Sequence, residues 1–334
     1  MKTESAPAAA MAAPTNFKDR RFWLIMCGAV EVLLGLVAAA MIPLTAFTMF
    51  MSSRTGAGAS LADLPQLISA LLVYFGTAVF LFCMGIGAML AKRWAHTLML
   101  AVGWIWLVMG SLIAVASLGV LPAALDALAK SGTGTPLAHA VVFVFTIVLV
   151  TVFCIALPGA VVAIYQEKNV RATVRYWDPV PRWPDACPLP VLIAALMAAL
   201  NVVSSLGALT DPTYPFFGMS LTGIPAALVN IIVALVAGWM GYALYRLSLA
   251  GWWTALALGL AEEVSAIITS IRQGHAALPA QDGLTPQQLE AMNNWTVMGL
   301  NGNLVVSIVA SLLYLGFLVY LRRYFSRTND MAHT

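Results

Sequence analysis

Three glutamates stand inside long apolar runs of this chain: Glu31, and the adjacent pair Glu262 and Glu263. An ionisable residue at the centre of a membrane span costs about 2.5–3.5 kcal/mol on insertion scales, so it persists only when paired, protonated or facing water. At about 1.5 Å per residue, Glu262 lies roughly 17 Å from the start of its run and Glu31 roughly 14 Å. Neighbouring side chains on a helix point about 100° apart, so Glu262 and Glu263 cannot face one pocket equally. Two carboxyls at that depth are expected to hold at least one proton between them. A mid-membrane carboxyl that takes and gives a proton is the chemistry of a proton-coupled carrier. The other reading is that each glutamate is neutral and bonded to a neighbouring helix.

Amides accompany the pair: Asn201, Asn230, Asn301 and Asn303. Any one of them could be an interhelical bridge worth about 0.6 kcal/mol. Their joint occurrence in the second half of the chain suggests a polar cluster, which Glu31 could reach from the first span.

Other chemistries find no residues to carry them. The pair Glu262-Glu263 resembles the start of the EExxxR motif of the intramembrane proteases related to prenyl-protein processing. The arginine position is Ile267, however, and no histidine-bearing partner segment follows. No HExxH, GxSxG or phosphate-binding Gly loop is present. His96, His139, His275 and His333 are isolated from one another, so neither a metal nor a cofactor is expected. Cys27, Cys83 and Cys154 fall within spans and Cys187 in a connection. They read as packing residues.

These residues must be positioned by helices that lipid permits. The 334 residues are 61% hydrophobic and 9% charged, against about 25% charged in a soluble domain. Eight apolar segments reach the roughly 20 residues a span requires, near 22–43, 65–90, 94–120, 138–165, 189–209, 221–246, 250–271 and 294–321. Each is expected to be a helix, because lipid offers backbone groups no partner. The first run continues through Phe50 and contains Glu31, so it reads as an uncleaved span. Of the 17 Lys and Arg residues, all but Arg54, Lys130 and Arg272 fall on the two terminal segments and alternate connections. That bias places both termini in the cytosol. Dispersed over short stretches, it makes the net charge of +3 a matter of topology rather than of a nucleic-acid partner.

The expected fold is therefore an all-α membrane protein of eight spans, built as two tandem parallel four-helix repeats. Leu64-Pro65 matches Ile224-Pro225, Trp94 matches Trp252, and Leu121-Pro122-Ala123 matches Leu278-Pro279-Ala280, each pair separated by about 160 residues. Trp104 and Ile105 then occupy the places of Glu262 and Glu263. The organisation is a tail at 1–17, repeats at 18–165 and 189–325, a linker at 166–188, and a tail at 326–334. Gly28 and Gly35, like Gly103 and Gly110, lie seven residues apart and mark faces for close helix approach. Trp23, Trp94, Trp252, Trp253 and Trp295 lie near span ends and read as interface anchors.

The linker carries five prolines in its second part, which prevent a regular helix there. Arg171 and Arg175, four apart, would share a face if the fourth span continued. The segment either anchors topology or binds an anionic lipid headgroup or phosphate. Its sequence, RATVRYWDPVPRWPDACPLPVL, resembles the central linker of a group of bacterial multi-span membrane proteins. That resemblance implies a bacterial inner membrane and no particular activity.

The functional expectation is a carrier for a small solute, using Glu262 or Glu263 with Asn201, Asn230 and Asn301 as polar lining. The alternative is a non-transporting subunit or scaffold that binds a partner protein or lipid. A membrane-embedded enzyme acting on a lipid is a third reading. The bilayer itself is the one partner the composition demands.

Overall fold

The structure is a computed structural model; it describes residues 18–54, 64–130, 136–210, 212–274 and 308–325. The helices are α1 (Arg21–Arg54), α2 (Leu64–Met89), α3 (Arg93–Lys130), α4 (Pro136–Thr151), α5 (Leu157–Gln166), α6 (Lys168–Trp177), α7 (Leu189–Gly207), α8 (Ile224–Tyr245) and α9 (Leu249–Gly274). A further helix, α10, covers Ile308–Phe325. Among the described residues, seven helical segments are long and apolar enough to cross a membrane, with the α4–α5 run Ala140–Gln166 counting as one. The 26-residue α9 is long enough, but with its glutamate pair it is not among the seven. Large side chains such as Leu137, Phe145, Leu235 and Val319 stand more than 60% exposed, which is expected of surfaces solvated by lipid rather than water.

Two spans outrun their expected ends. α1 passes through Pro43 to Arg54, and α3 passes through Pro122 to Lys130. Proline is tolerated in membrane helices because neighbouring groups re-satisfy the freed backbone. The Pro158 ring does leave a mark. Proline lacks the N–H that would bond the carbonyl four residues back and its ring crowds that carbonyl. Here a π-helical turn, Val152–Ala156, separates α4 from α5, and Leu157 N–H reaches back to the Val152 carbonyl.

Contacts divide the chain into two units. Unit 1 comprises Met1–Leu61, Ala70–Leu100 and Val161–Ala186; unit 2 comprises Ala62–Ser69, Ala101–Ala160 and Cys187–Thr334.

In unit 1, α1 and α2 pack antiparallel through Gly28 and Gly85. A Cβ on Gly28 would stand 2.5 Å from the Gly85 carbonyl oxygen, and one on Gly85 would stand 2.7 Å from that of Gly28. Small residues allow this backbone approach, as packing rather than hydrophobic burial holds helices together in lipid. The linker folds onto the start of α3. Asp178 accepts the backbone N–H of Arg93 at 3.2 Å, and Asp185 pairs with the Arg93 guanidinium at 3.3 Å. Asp185 also accepts the Thr97 hydroxyl at 2.7 Å. Carboxylates at a helix N-terminus are favoured by its dipole and orphan N–H groups. After α6 the prolines leave only a 3-10 turn, Trp183–Ala186.

At the other end of the linker, Arg20 donates to Glu167 through Nε and Nη2, at 3.1 and 3.0 Å. Hydrogen bonds from Asn169 and then Arg20, together with the Arg20 charge, hold the Glu167 carboxyl below the usual glutamate range. A depressed folded value means that the pair supports the fold above the ordinary glutamate pKa of about 4.3, and that this support is lost as pH falls through the folded value. Hydrogen exchange at Arg20 and across α6, corrected for its intrinsic pH dependence, is expected to rise as pH falls below the ordinary glutamate range. Glu167→Gln is expected to show the faster exchange at neutral pH and to converge with the wild type in acid. Equal exchange in the wild type and Glu167→Gln at neutral pH would remove the pair from the account.

In unit 2, α7 and α8 are antiparallel, with Gly241 against Ala198 and Gly238 against Val202. α9 and α10 are antiparallel too: the buried Trp252 indole donates to the Leu318 carbonyl at 2.7 Å, and the Tyr314 hydroxyl donates to the Ala255 carbonyl at 3.0 Å. α3 meets the π turn at Gly110, where any Cβ would collide with the Cys154 carbonyl. That is the carbonyl that position 158 would bond in an α-helix, were it not a proline. Between α7 and α8 the chain forms an antiparallel hairpin of β1 (Thr213–Phe216) and β2 (Met219–Thr222). Its two-residue turn has positive φ at both Phe217 (44°) and Gly218 (93°), the geometry whose twist matches paired strands.

Candidate functional site

The α7–α10 helices and one face of α3 enclose a cavity of about 670 Å³ within unit 2. Its apolar walls include Trp104 and Val108 of α3, Ile193 and Met197 of α7, Met240 of α8 and Phe317 of α10. Among the described residues, no Lys, Arg or His lines it. It runs from the first turn of α7, the last turn of α8 and the last two turns of α10, at Leu189, Leu244 and Leu318, toward the middle of the helices. There it meets Asn201, Glu262 and Glu263.

The polar end is built by residues far apart in sequence. Asn201 Nδ2 donates to Glu262, 3.2 Å from Oε2 and 3.5 Å from Oε1. The Asn201 Oδ1 accepts the Ser205 hydroxyl at 3.2 Å, which fixes the amide with its N–H group toward the carboxylate. Glu263 accepts the Ser311 hydroxyl of α10 at 2.7 Å. The adjacent glutamates therefore bond to different helices, as their 100° separation requires, and both still reach the cavity wall.

The hairpin docks on the α9 face that continues from Glu262. Phe217 N–H donates to Ser265 Oγ and Gly218 N–H donates to Thr269 Oγ1, both at 2.9 Å. The Ser265 hydroxyl donates in turn to the Pro215 carbonyl at 2.6 Å. Residues 262, 265 and 269 recur at helical spacing on one stripe. The hairpin's Tyr214 lies within electrostatic reach of Glu262; burial first, then that carboxylate, push its phenol above the usual value. Asn230 Nδ2 points at the Thr213 carbonyl from 3.5 Å and stands off the cavity wall. Asn301 and Asn303 lie outside the described residues.

Glu31 belongs to unit 1 and is not a cavity residue. It is buried, accepts the Tyr165 hydroxyl at 3.2 Å through Oε1, and its Oε2 has no hydrogen-bond partner among the described residues. His96 lies beside it in the same network: its Nε2 stands 2.9 Å from the Tyr165 carbonyl, which can only accept, so that nitrogen carries the proton. Trp252 reads from sequence as an interface anchor and His96 as an isolated histidine. Both are instead buried with a carbonyl partner, because tertiary packing, not depth in the helix, decides exposure.

Arg171 and Arg175 do not extend the fourth span. Glu167 breaks the helix with extended backbone (ψ 134°), and α6 starts anew. The two arginines share its exposed face with Lys168, while Val170, Thr173 and Val174 are buried. Tyr176, Trp177 and Trp183 are exposed nearby. Cys187, buried near the end of the linker, has its thiol pushed up to about 11 by desolvation, which leaves it an inert packing residue at neutral pH. Among the described residues, no cluster of His, Cys, Asp or Glu has metal-binding geometry.

No family model matches the chain, and neither a curated protein nor a solved structure does.

Proposed function

We propose that this multi-span membrane protein is a proton-linked carrier for a small solute, with Glu262 as the proton-exchanging group. The observation that carries the reading is a mid-helix carboxylate on the wall of a 670 Å³ cavity, held by one amide and no cation. An ionisable residue in a membrane span marks a functional site by default, and this one has room beside it for a ligand. Access from one end follows the cavity toward Leu189 and Leu318. Access from the other would require the hairpin to release Ser265 and Thr269. Among the described residues, the titratable groups facing Glu262 are Glu263, Tyr214 and Tyr314, so the nearest group able to take its proton is the second carboxyl, Glu263.

The wider reading is eight spans, with α9 as the seventh, both termini cytosolic, and two parallel four-helix repeats. In support, Trp104 and Ile105 line the same cavity as their counterparts Glu262 and Glu263. That is what a two-fold axis through the cavity would produce. The first repeat supplies apolar wall, the second the carboxylate.

The test is proton movement in pyranine-loaded proteoliposomes on addition of a panel of small cations, neutral solutes and anions. At least one solute is expected to move protons through the wild type and not through Glu262→Gln. Wild-type rates in Glu262→Gln, Glu263→Gln and the double variant would overturn the reading and leave the scaffold or subunit alternative.

The α6 face is proposed to lie at the membrane surface, with Arg171 and Arg175 toward anionic headgroups and Trp177 and Trp183 at headgroup level. Each basic residue near an anionic surface contributes about 1 kcal/mol. Arg171→Gln with Arg175→Gln is therefore expected to weaken retention of phosphatidylglycerol by the purified protein, read by native mass spectrometry. Unchanged retention would refute this part.

A further inference from the structure

The cavity's chemistry narrows the class of solute, an inference that rests on the carrier reading for its purpose but not for its geometry. Both carboxylates at its inner end have few donors among the described residues. Glu262 receives one amide, and Glu263 receives a hydroxyl. Among the described residues, no basic side chain stands on the wall to balance them. Leaving a charged acceptor partly desolvated and under-bonded is costly, so the site is complementary to a group that brings both N–H donors and positive charge. The remaining lining is aliphatic and aromatic. Trp104, Tyr314 and Phe317 offer ring faces, to which a cation is drawn when water is excluded. A hydrophilic cation would leave those walls unsatisfied, and a carboxylic acid or phospholipid phosphate would meet two glutamates.

We infer that the cavity binds a lipophilic amine: an ammonium group on Glu262, with an aryl or alkyl body laid along the wall between α3, α7 and α10.

The experiment uses the full chain in lipid nanodiscs and three probes with one body: 3,3-diphenylpropylamine, 3,3-diphenylpropanol and 3,3-diphenylpropanoic acid. Saturable binding is measured at equilibrium with no gradient, against empty nanodiscs. A hydrogen bond to a charged group contributes about 1.5–3 kcal/mol, so the amine is expected to bind about tenfold or more tightly than the alcohol, and the acid not at all. Glu262→Gln is expected to lose that preference while still binding the alcohol, whose retention shows the variant to be folded. Ala194→Trp, placed in the wall, is expected to abolish both.

Equal affinity for amine and alcohol in the wild type would overturn the assignment, as would no binding of the amine. Tightest binding of the acid would also overturn it and make the cavity a fatty-acid site. These wild-type comparisons decide the matter even where a variant fails to fold. Amine binding without proton movement would sink the carrier and spare the ligand class; proton movement driven only by anions or neutral solutes would do the reverse.

Discussion

Glu262→Gln is expected to reduce solute-driven proton movement to the level of protein-free liposomes while leaving the protein folded. The amide has the size of the carboxyl and keeps an oxygen for Asn201 Nδ2, now 3.2 Å from Oε2, so the α7–α9 contact survives. It also removes a charge from an apolar surround, and isosteric neutralisation of a buried charge is often neutral or stabilising. A lower melting temperature would thus count against the geometry as well as the role. Only proton exchange is lost.

The neighbouring variants grade the claim. Asn201→Leu removes the one donor to Glu262 among the described residues, a bond to a charged group worth about 1.5 kcal/mol or more, and is expected to cost about tenfold in apparent solute affinity. Glu263→Gln is expected to do less, since that carboxylate is bonded to Ser311 at 2.7 Å and is already committed to α10. A profile in which Glu263→Gln is the more damaging would move the proton site by one residue and one helix face. Both outcomes are readable in one pyranine assay.

How much of this was legible follows from what each residue's neighbours are. The spans could be read because lipid accepts little else than apolar helices. Glu262 and Asn201 could be singled out as types out of place. Their pairing could not, because 61 residues separate them and a single chain carries no sign of which helix faces which. Glu31 shows the same limit in reverse. Its depth suggested the cluster in the second half, whereas its partner is Tyr165, an ordinary tyrosine at a span end, 134 residues on. The hairpin was hidden by Pro212 and Pro215, which argue against strand. Proline is allowed because both strands are edges, and the turn is held by Ser265 and Thr269, bonds that sequence inspection does not reveal. The π turn had a local cue in Pro158, but its other half, Gly110 opposite the Cys154 carbonyl, is again long-range.

The glycines of unit 1 supply the second large effect, on stability. Gly28→Ala puts a methyl group 2.5 Å from the Gly85 carbonyl oxygen and 2.8 Å from Met89 Cγ. Gly85→Ala puts one 2.7 Å from the Gly28 carbonyl oxygen and 2.8 Å from Val32 Cγ2. A carbon normally approaches a carbonyl oxygen no closer than about 3.3 Å, and backbone cannot rotate aside as a side chain can. The helices must therefore part by several tenths of an ångström, and a gap of 0.5–1 Å forfeits a quarter to a half of the dispersion attraction along the seam. Each substitution is expected to cost about 1–3 kcal/mol, measured by thermal or steric-trapping denaturation in detergent. The double variant is expected to cost less than the sum, because the first methyl group opens the space the second one needs; contacting residues couple in this way. Gly76→Ala is the control. A Cβ there meets nothing within 4 Å, and replacing glycine by alanine within a helix is expected to stabilise by about 0.5–1 kcal/mol. If Gly28→Ala behaves like Gly76→Ala, α1 and α2 do not meet at these glycines, and the pairing that sets Glu31 in its buried place must be redrawn.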